Sequence, residues 1–245
     1  MALLASRTER ARLLFRQFRG IDAARLLVTD VVRLAADRFG IASYSQTGED
    51  RIIDAILGDR QGYYVDVGCN HPVRCSSTFF FYRRGWRGLC IDANEALVAL
   101  YRRARPHDRA VCAVVSSSTR DLVFTEFADD RISSVDPDHS RAWSKSREVT
   151  SERHVRAVTL QSLLEAADAP NRFDLLAIDV EGHDLEVLFS LDLGVYRPAL
   201  IVIEMHGFDL ERPKANPIYR HLAEAGYQMV GYAVMNGYFV DSETA

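Results

Sequence analysis

From Tyr44 onward, the hydrophobic and polar residues follow two alternating patterns. Short apolar runs rich in valine, isoleucine and aromatic residues predict strands, and apolar residues at every third or fourth position predict helices. We predict strands near residues 63–67, 88–91, 110–115, 173–178 and 199–203. We predict helices near residues 48–57, 76–83, 95–104, 159–167, 184–190 and 215–225. This alternation is typical of an α/β fold with a mostly parallel sheet and helices on both faces.

Two segments depart from the alternation. Residues 226–240 are rich in tyrosine and valine, and Asn236-Gly237 lies between two such runs, which predicts a terminal hairpin turning at this dipeptide. Residues 128–152 are polar and predict the longest irregular stretch of the chain. A loop of this length in a compact domain often covers a site. We therefore expect residues 128–152 to form a lid.

The first 40 residues differ from the rest of the chain. Arginines are interleaved with leucine, phenylalanine and valine at near-helical spacing, which predicts two amphipathic helices broken near Gly20. Such helices either pack on the domain or on a second subunit of a homo-oligomer, or they lie peripherally on an anionic membrane. The predicted organisation is a helical extension at residues 1–42 and one α/β domain at residues 43–245.

Size and composition narrow the class of protein. The chain has 245 residues, enough for one α/β domain with a full core, and its net charge of −4 disfavours a nucleic-acid partner. No stretch reaches the roughly 18 apolar residues of a membrane span, and no secretory signal is evident, so we expect a cytoplasmic protein. Cys69, Cys75, Cys90 and Cys112 form no CxxC pair. We expect reduced cysteines, with Cys90 and Cys112 packed as small hydrophobic residues.

Acidic residues end the first two predicted strands. Asp66 and Gly68 close the first strand, and Asp92 closes the second strand, 24 residues after the glycine. In open α/β sheets, ligands bind at the carboxyl ends of the strands, where such an acid can accept hydrogen bonds from ribose hydroxyls. A dinucleotide site needs several glycines, and a P-loop needs a Gly-Lys-Ser/Thr ending. The single glycine therefore favours a nucleoside ligand without phosphates, such as S-adenosylmethionine.

Six blocks of the sequence resemble the FkbM-type family of S-adenosylmethionine-dependent methyltransferases. The blocks are Ser45-Gln46-Thr47-Gly48-Glu49-Asp50, Val65-Asp66-Val67-Gly68-Cys69-Asn70-His71-Pro72, Ser76-Ser77-Thr78, Gly85-Trp86-Arg87-Gly88, Ile91-Asp92-Ala93 and Ile178-Asp179-Val180-Glu181-Gly182-His183. The resemblance covers about residues 43–240. It implies the class I methyltransferase fold, which is Rossmann-like with a seven-stranded sheet. It also implies methyl transfer to a hydroxyl group, usually of a sugar in a glycan or glycolipid or of a secondary metabolite.

The resemblance also implies which residues bind the cofactor. They are Gln46, Glu49, Asp66, Gly68, Cys69, Asn70, Ser77, Thr78, Asp92, Ala93, Cys112, Ser134 and Asp179. The turn that begins at Asp66 would surround the methionine half of S-adenosylmethionine. Asp92 would hold the ribose hydroxyls, and Gln46 and Glu49 would cover the amino-acid end.

Two details of this expected site depend on strand order and on helix capping. The adenine is expected near Ala93, Cys112 and Ser134. Ser77 or Thr78 is expected to cap the helix that follows the first turn.

Methylation of a hydroxyl requires that the hydroxyl lose its proton, and a histidine can accept that proton. His183 and His206 both follow predicted strands, so one of them is the expected general base, with Asp179 and Glu204 orienting the acceptor. Some related O-methyltransferases hold a divalent cation with this layout, which makes Asp179, Glu204 and His206 candidate ligands for Mg²⁺ or Mn²⁺. The same carboxylates can instead bind sugar hydroxyls or pair with arginines.

Three other functions stay open at this point. The first is a methyltransferase whose acceptor is a secondary metabolite that contains no sugar. The second is a nicotinamide-dependent oxidoreductase, which shares the sheet, although the glycines of its fingerprint are missing here. The third is a noncatalytic binding module that has kept the fold, a reading that the polar strand ends argue against.

Overall fold

The computed structural model describes residues 43–243 together with Ala24 and Val28, and it contains nine strands. The strands are β1 (Tyr63–Val67), β2 (Arg87–Asp92), β3 (Arg109–Cys112), β4 (Asp121–Phe127), β5 (Val149–Arg156), β6 (Arg172–Ile178), β7 (Arg197–Glu204), β8 (Tyr227–Ala233) and β9 (Asn236–Asp241). Seven of them form one sheet in the order β3-β2-β1-β6-β7-β9-β8, in which β9 runs in the opposite direction to the other six strands. This confirms the predicted class I methyltransferase fold. The predicted helical extension lies outside the described residues, except for Ala24 and Val28.

The central strands are buried on both faces because helices cover both sides of the sheet. Successive side chains of a strand point to opposite faces. Val65 and Leu176 accordingly belong to one hydrophobic cluster, whereas Tyr64 and Leu175 belong to another. The two clusters fix the register of β1 against β6, since a slip of one residue would exchange the faces.

Seven α-helices lie within the described residues. They are α1 (Glu49–Leu57), α2 (Phe79–Arg83), α3 (Glu95–Ala104), α4 (Pro137–Trp143), α5 (Leu160–Ala166), α6 (Asp184–Phe189) and α7 (Pro217–Glu224). Capping side chains explain where two of these helices begin. Asn94 accepts hydrogen bonds from two amides of α3, and Thr159 accepts one from an amide of α5. None of the described helices has the length and apolar character that a membrane span requires.

Helix α2 begins three residues later than predicted. The hydroxyl of Ser76 accepts a hydrogen bond from the Phe79 amide at 3.1 Å, and Thr78 makes no side-chain cap bond. The expectation that Ser77 or Thr78 caps this helix is therefore wrong, and Ser76 satisfies the free amide instead.

The prediction that residues 128–152 are irregular is also wrong. The segment contains a 3₁₀ turn at Asp130–Ile132, helix α4 and the start of β5. Strands β4 and β5 form a separate antiparallel pair that the sequence analysis missed. Polar and charged residues fill most of β5, and none of them is fully buried, so no apolar alternation marks it as a strand.

The terminal hairpin is present, but its turn lies two residues before the predicted position. Ala233 pairs with Asn236, which leaves Val234 and Met235 as the turn, and Val234 takes a positive φ of 58°. Gly237 lies within β9, where a β-carbon would lie 2.6 Å from the Met205 sulfur. This glycine is needed for close packing and not for the turn.

All four cysteines are free, as predicted, but only two of them are buried. Cys69 and Cys90 lie in the core, whereas Cys75 and Cys112 are exposed. The expectation that Cys112 packs as a hydrophobic residue is wrong, because β3 lies at the edge of the sheet.

Candidate functional site

Three adjoining cavities open at the carboxyl ends of the central strands. Gln46 and Glu181 line all three of them. We name them the Asp92 cavity, the Glu49 cavity and the Trp143 cavity, each after one residue in its wall. The first two contain about 850 Å³ and about 780 Å³ of empty space. This position agrees with the general rule that ligands bind at this edge of an open α/β sheet.

The turn after β1 passes directly against the end of β6. Gly68 has a φ of +80°, and a β-carbon on it would lie 1.7 Å from the carbonyl oxygen of Asp179. The amides of Gly68 and Cys69 both donate to the Ile91 carbonyl, at 2.9 Å and 3.1 Å. Glycine is therefore required here both for its backbone conformation and for the close approach of two chain segments.

Asp92 is held at the wall of its cavity by the backbone. Its two carboxylate oxygens accept hydrogen bonds from the amides of Asn70 and Asn94, each at 2.8 Å. Burial raises the pKa of Asp92 to about 6, although both amides favour the charged form. The carboxylate thus has a fixed orientation and keeps unused lone pairs for a ligand in the cavity.

The remaining wall of the Asp92 cavity contains both apolar and polar residues. Ala93 and Ser134 line it, as predicted, together with Phe124 from β4, which was not predicted. Cys112 is not part of this wall, and its sulfur lies 3.5 Å from the Ala93 carbonyl oxygen instead. Cys112 thus lies beside the expected adenine site and outside the cavity wall, and its contribution to that site stays a prediction.

The Glu49 cavity is strongly acidic. Carboxylates of Glu49, Asp66, Asp179, Glu181 and Glu204 line it, and among the described residues no lysine or arginine does. Burial raises the pKa values of Asp66, Asp179 and Glu204, and repulsion between neighbouring carboxylates contributes to the rise at Asp179 and Glu204. At Glu49, burial is outweighed by hydrogen bonds from Thr47, which leave the pKa below its usual value. Such a cavity favours a ligand that carries positive charge.

Asp66 is oriented by residues that lie behind it. The hydroxyl of Thr78 donates to Asp66 Oδ2 at 2.5 Å, and Arg105 in turn donates to Thr78 Oγ1 at 3.0 Å. Arg105 is completely buried, pairs with Asp108 at 2.7 Å and donates to Tyr64 Oη at 2.7 Å. Thr78 is fully buried and lines none of the three cavities, so the expectation that it contacts the cofactor is wrong.

The two candidate bases occupy different surroundings. His183 is buried, lines the Asp92 cavity and has its Nε2 atom 3.0 Å from Ser116 Oγ; burial lowers its pKa. His206 lines the Trp143 cavity, is 45% exposed and has its Nε2 atom 3.0 Å from Glu204 Oε2. His183 is held by Ser116 in the wall of the Asp92 cavity, apart from the Trp143 cavity that His206 lines. Its position therefore does not support the role of general base.

The candidate metal ligands Asp179, Glu204 and His206 do not form one group. Glu204 instead belongs to a cluster with Asp179 and Asp184, in which Asp184 accepts hydrogen bonds from two backbone amides. His206 belongs to a second cluster with Glu181 and with His139 of α4. The predicted ligand set is therefore wrong as one site.

Comparison of the sequence with known protein families gives one match. A sequence model described as the methyltransferase FkbM domain matches residues 66–229, about two thirds of the chain. The chain belongs to the FkbM methyltransferase family. The chain is thus an S-adenosylmethionine-dependent methyltransferase, as the sequence blocks implied.

Two solved structures resemble this chain, each with 14% sequence identity. The TehB-like SAM-dependent methyltransferase of Corynebacterium glutamicum gives a TM-score of 0.40, covering 90% of this chain and 99% of its own. The 1,6-didemethyltoxoflavin-N1-methyltransferase of Burkholderia thailandensis, with S-adenosylhomocysteine bound, gives 0.41, covering 98% and 91%. A comparison with curated proteins gave no match.

Proposed function

We propose that this methyltransferase methylates a hydroxyl group of a sugar, in a glycan, a glycolipid or a glycosylated natural product. One observation carries the proposal. The Trp143 cavity meets the acidic Glu49 cavity at Gln46, Glu181 and Met235, and it presents the exposed imidazole of His206 with the buried Glu204 behind it. An acceptor in the Trp143 cavity would thus lie next to both the cofactor and a group that can take up a proton.

The residues fit S-adenosylmethionine, which supplies a methyl group on a positively charged sulfur when it is bound. We assign the ribose hydroxyls to Asp92 and the positively charged amino-acid end to the Glu49 cavity. Gly68 supports this assignment, because it lines both cavities and so could contact one ligand that extends from one cavity into the other. The five carboxylates of the Glu49 cavity would repel the pyrophosphate of a nicotinamide dinucleotide, which disfavours the oxidoreductase alternative.

The polar ends of β6 and β7 favour a hydroxyl as the acceptor. A neutral hydroxyl is a poor nucleophile, and a positioned histidine increases the rate of proton transfer by about 10²–10⁴-fold. The contact of His206 Nε2 with Glu204 Oε2 fixes the orientation of the ring, as the acid of a catalytic triad does. The chain could activate the hydroxyl either with this imidazole alone or with a cation that the imidazole helps to bind.

The Trp143 cavity has the mixed character that sugar binding needs. Its wall contains the indole of Trp143 and polar groups such as Arg131, Asp136 and His139. Sugars present apolar C–H faces, which pack on aromatic rings, and hydroxyls that donate and accept hydrogen bonds. An acceptor that is a flat, apolar metabolite would make few hydrogen bonds with these polar groups.

The test uses S-adenosylmethionine with a labelled methyl group, offered with fractionated glycans, glycolipids and small metabolites from a cell extract. We expect label in a sugar-containing fraction, as a base-stable methyl ether. Asp66→Ala should abolish binding of S-adenosylhomocysteine in calorimetry. His206→Ala should keep that binding and lose turnover by about 10²-fold or more.

His154→Ala is the matched control, because His154 is an exposed histidine on β5 that lines none of the three cavities. It should bind and turn over like the unaltered protein. Label confined to a metabolite without sugar would support the alternative acceptor class. Normal turnover by His206→Ala would contradict the role of His206.

A further inference from the structure

Three separate elements bring His139, Glu181 and His206 together at the wall of the Trp143 cavity. His139 comes from α4, Glu181 from the loop after β6, and His206 from the loop after β7. One ring nitrogen of each histidine and one carboxylate oxygen lie within 4.8 Å of one another. The Nε2 atom of His139 lies 3.6 Å from Glu181 Oε2. This grouping of two imidazoles and one carboxylate is a common ligand set for transition metals.

Each histidine also has an outer partner. His139 Nε2 lies 3.2 Å from the Ile132 carbonyl oxygen, and His206 Nε2 lies 3.0 Å from Glu204 Oε2. Histidines that bind metals almost always make such a contact with a carbonyl or a carboxylate, which fixes the tautomer and orients the ring. Because Nε2 makes this contact in both rings, Nδ1 would be the nitrogen that binds a cation.

Glu204 provides an independent observation at the same place. Its side chain is 4% exposed, and its Oε2 atom has no hydrogen-bond partner among the described residues, although it faces His206. A buried carboxylate without a donor is costly, and a cation bound beside it would offset this cost.

We propose that His139, Glu181 and His206 bind one divalent transition-metal cation, and that Glu204 orients His206 from behind. Imidazole ligands favour Fe²⁺, Ni²⁺, Cu²⁺ or Zn²⁺ over Mg²⁺, which prefers oxygen ligands. Two ligands of a tetrahedral cation lie roughly 3.3 Å apart, so the side chains must close by roughly 1–2 Å on binding. The proposal replaces Asp179 and Glu204 of the sequence-based ligand set with His139 and Glu181.

The role of this cation rests on the proposed function. A cation at the wall of the Trp143 cavity would lower the pKa of an acceptor hydroxyl that reaches it and so favour loss of the proton. Binding of the cation itself requires no acceptor. It can therefore be tested separately from methyl transfer.

The experiment titrates the full chain, freed of metal by a chelator, with Co²⁺ alone and with Mg²⁺ alone. Calorimetry gives the stoichiometry and affinity, and the visible absorption of Co²⁺ reports nitrogen ligands. We expect one equivalent of Co²⁺ to bind much more tightly than Mg²⁺. His139→Asn should weaken Co²⁺ binding at least tenfold, and Glu204→Gln should weaken it about 10–100-fold as an outer partner.

His139→Asn is the decisive variant because His139 lines neither the Asp92 cavity nor the Glu49 cavity. Unchanged binding of S-adenosylhomocysteine by this variant will show that it is folded. His154→Asn serves as the control and should bind Co²⁺ normally. Equal Co²⁺ affinity in His139→Asn and His154→Asn would overturn the proposal, as would Mg²⁺ binding as tight as Co²⁺ binding. Either result would leave His206 as a general base and the proposed function intact.

Discussion

A β-carbon at Gly68 would lie 1.7 Å from the carbonyl oxygen of Asp179, so the end of β1 and the end of β6 meet without room for a side chain. We expect Gly68→Ala to force these two segments apart. The variant would also place alanine at a φ of +80°, which by itself costs about 1–2 kcal/mol. Calorimetry should show loss of S-adenosylhomocysteine binding, and urea denaturation should show a fall in the free energy of unfolding larger than this backbone cost.

Gly207→Ala separates the backbone cost from the steric clash. Gly207 also has a positive φ, of 64°, but a β-carbon there would have no neighbour within 4 Å. This control should lose only about 1–2 kcal/mol of unfolding free energy. Equal losses in the two variants would show that the approach to Asp179 is not as close as described.

The buried ion pair behind Asp66 should contribute far more to the free energy of unfolding than an exposed pair with the same spacing along the chain. Arg105 and Asp108 are both fully buried, and Arg105 reaches Asp66 through Thr78. Removing one partner leaves an uncompensated charge, so Arg105→Met should cost about 3–5 kcal/mol of unfolding free energy. Arg105→Lys keeps the charge but loses the several N–H donors of the guanidinium group. This variant should therefore still fold, but it should bind S-adenosylhomocysteine more weakly than the unaltered protein.

The exposed pair of Asp138 and Arg141 is the control for that comparison, since these side chains are 88% and 71% exposed. Exposed pairs contribute about 0–1 kcal/mol, so Arg141→Met should leave both stability and ligand binding nearly unchanged. Urea denaturation of the variants decides the matter. A loss in Arg105→Met no larger than in Arg141→Met would contradict the structural role of Arg105.

The sequence was sufficient to predict the acids at the strand ends. Asp66, Asp92, Asp179 and Glu204 each end or follow an apolar run, and parallel strands must bring their carboxyl ends to one edge. Helix α3 was predicted with its correct bounds because Asn94 caps its start. In these places the local pattern and the tertiary structure give the same answer.

Residues that reach the site from elsewhere could not be predicted in this way. Arg105 comes just after α3, Phe124 lies on the unrecognised strand β4, and His139 lies on α4 within the segment expected to be a loop. Their positions depend on how these elements pack, which no short motif encodes. For the same reason, the metal-ligand set predicted from the sequence contains only residues at the ends of strands.

The acids of the site should make stability fall as pH rises through the neutral range. Burial and neighbouring carboxylates raise the pKa of Glu181 to about 8 and that of Asp184 to about 7. An acid whose pKa is higher in the folded state adds stability below its unfolded value of about 4, and this contribution is lost as pH rises to its folded value. Without added metal, these acids should therefore lower the unfolding free energy between about pH 4 and pH 8.

Glu181→Gln tests this dependence because it removes one of these acids at nearly constant shape. The variant should match the unaltered protein near pH 4 and become the more stable of the two near pH 8, in urea denaturation with a chelator present. Glu148→Gln, at an exposed position, should show no such crossing. If the two variants depended on pH in the same way, the burial of Glu181 would not control its ionisation.

The hydroxyl of Ser134 ties the segment before α4 to the end of β6, and its removal should loosen this segment. Ser134 Oγ donates to the Glu181 carbonyl at 2.7 Å and accepts from the Asp136 amide at 2.9 Å, in a buried position. Leaving these groups without a partner costs about 1–3 kcal/mol, so Ser134→Ala should speed amide hydrogen exchange over residues 133–143 by about 5–150-fold. Ser144→Ala removes an exposed hydroxyl that donates to the Arg141 carbonyl at the end of α4, and it should leave that exchange unchanged. Because Glu181 lines all three cavities, Ser134→Ala should also bind S-adenosylhomocysteine more weakly. If neither serine variant changed hydrogen exchange or ligand binding, the Ser134 contact would not hold this segment over the site.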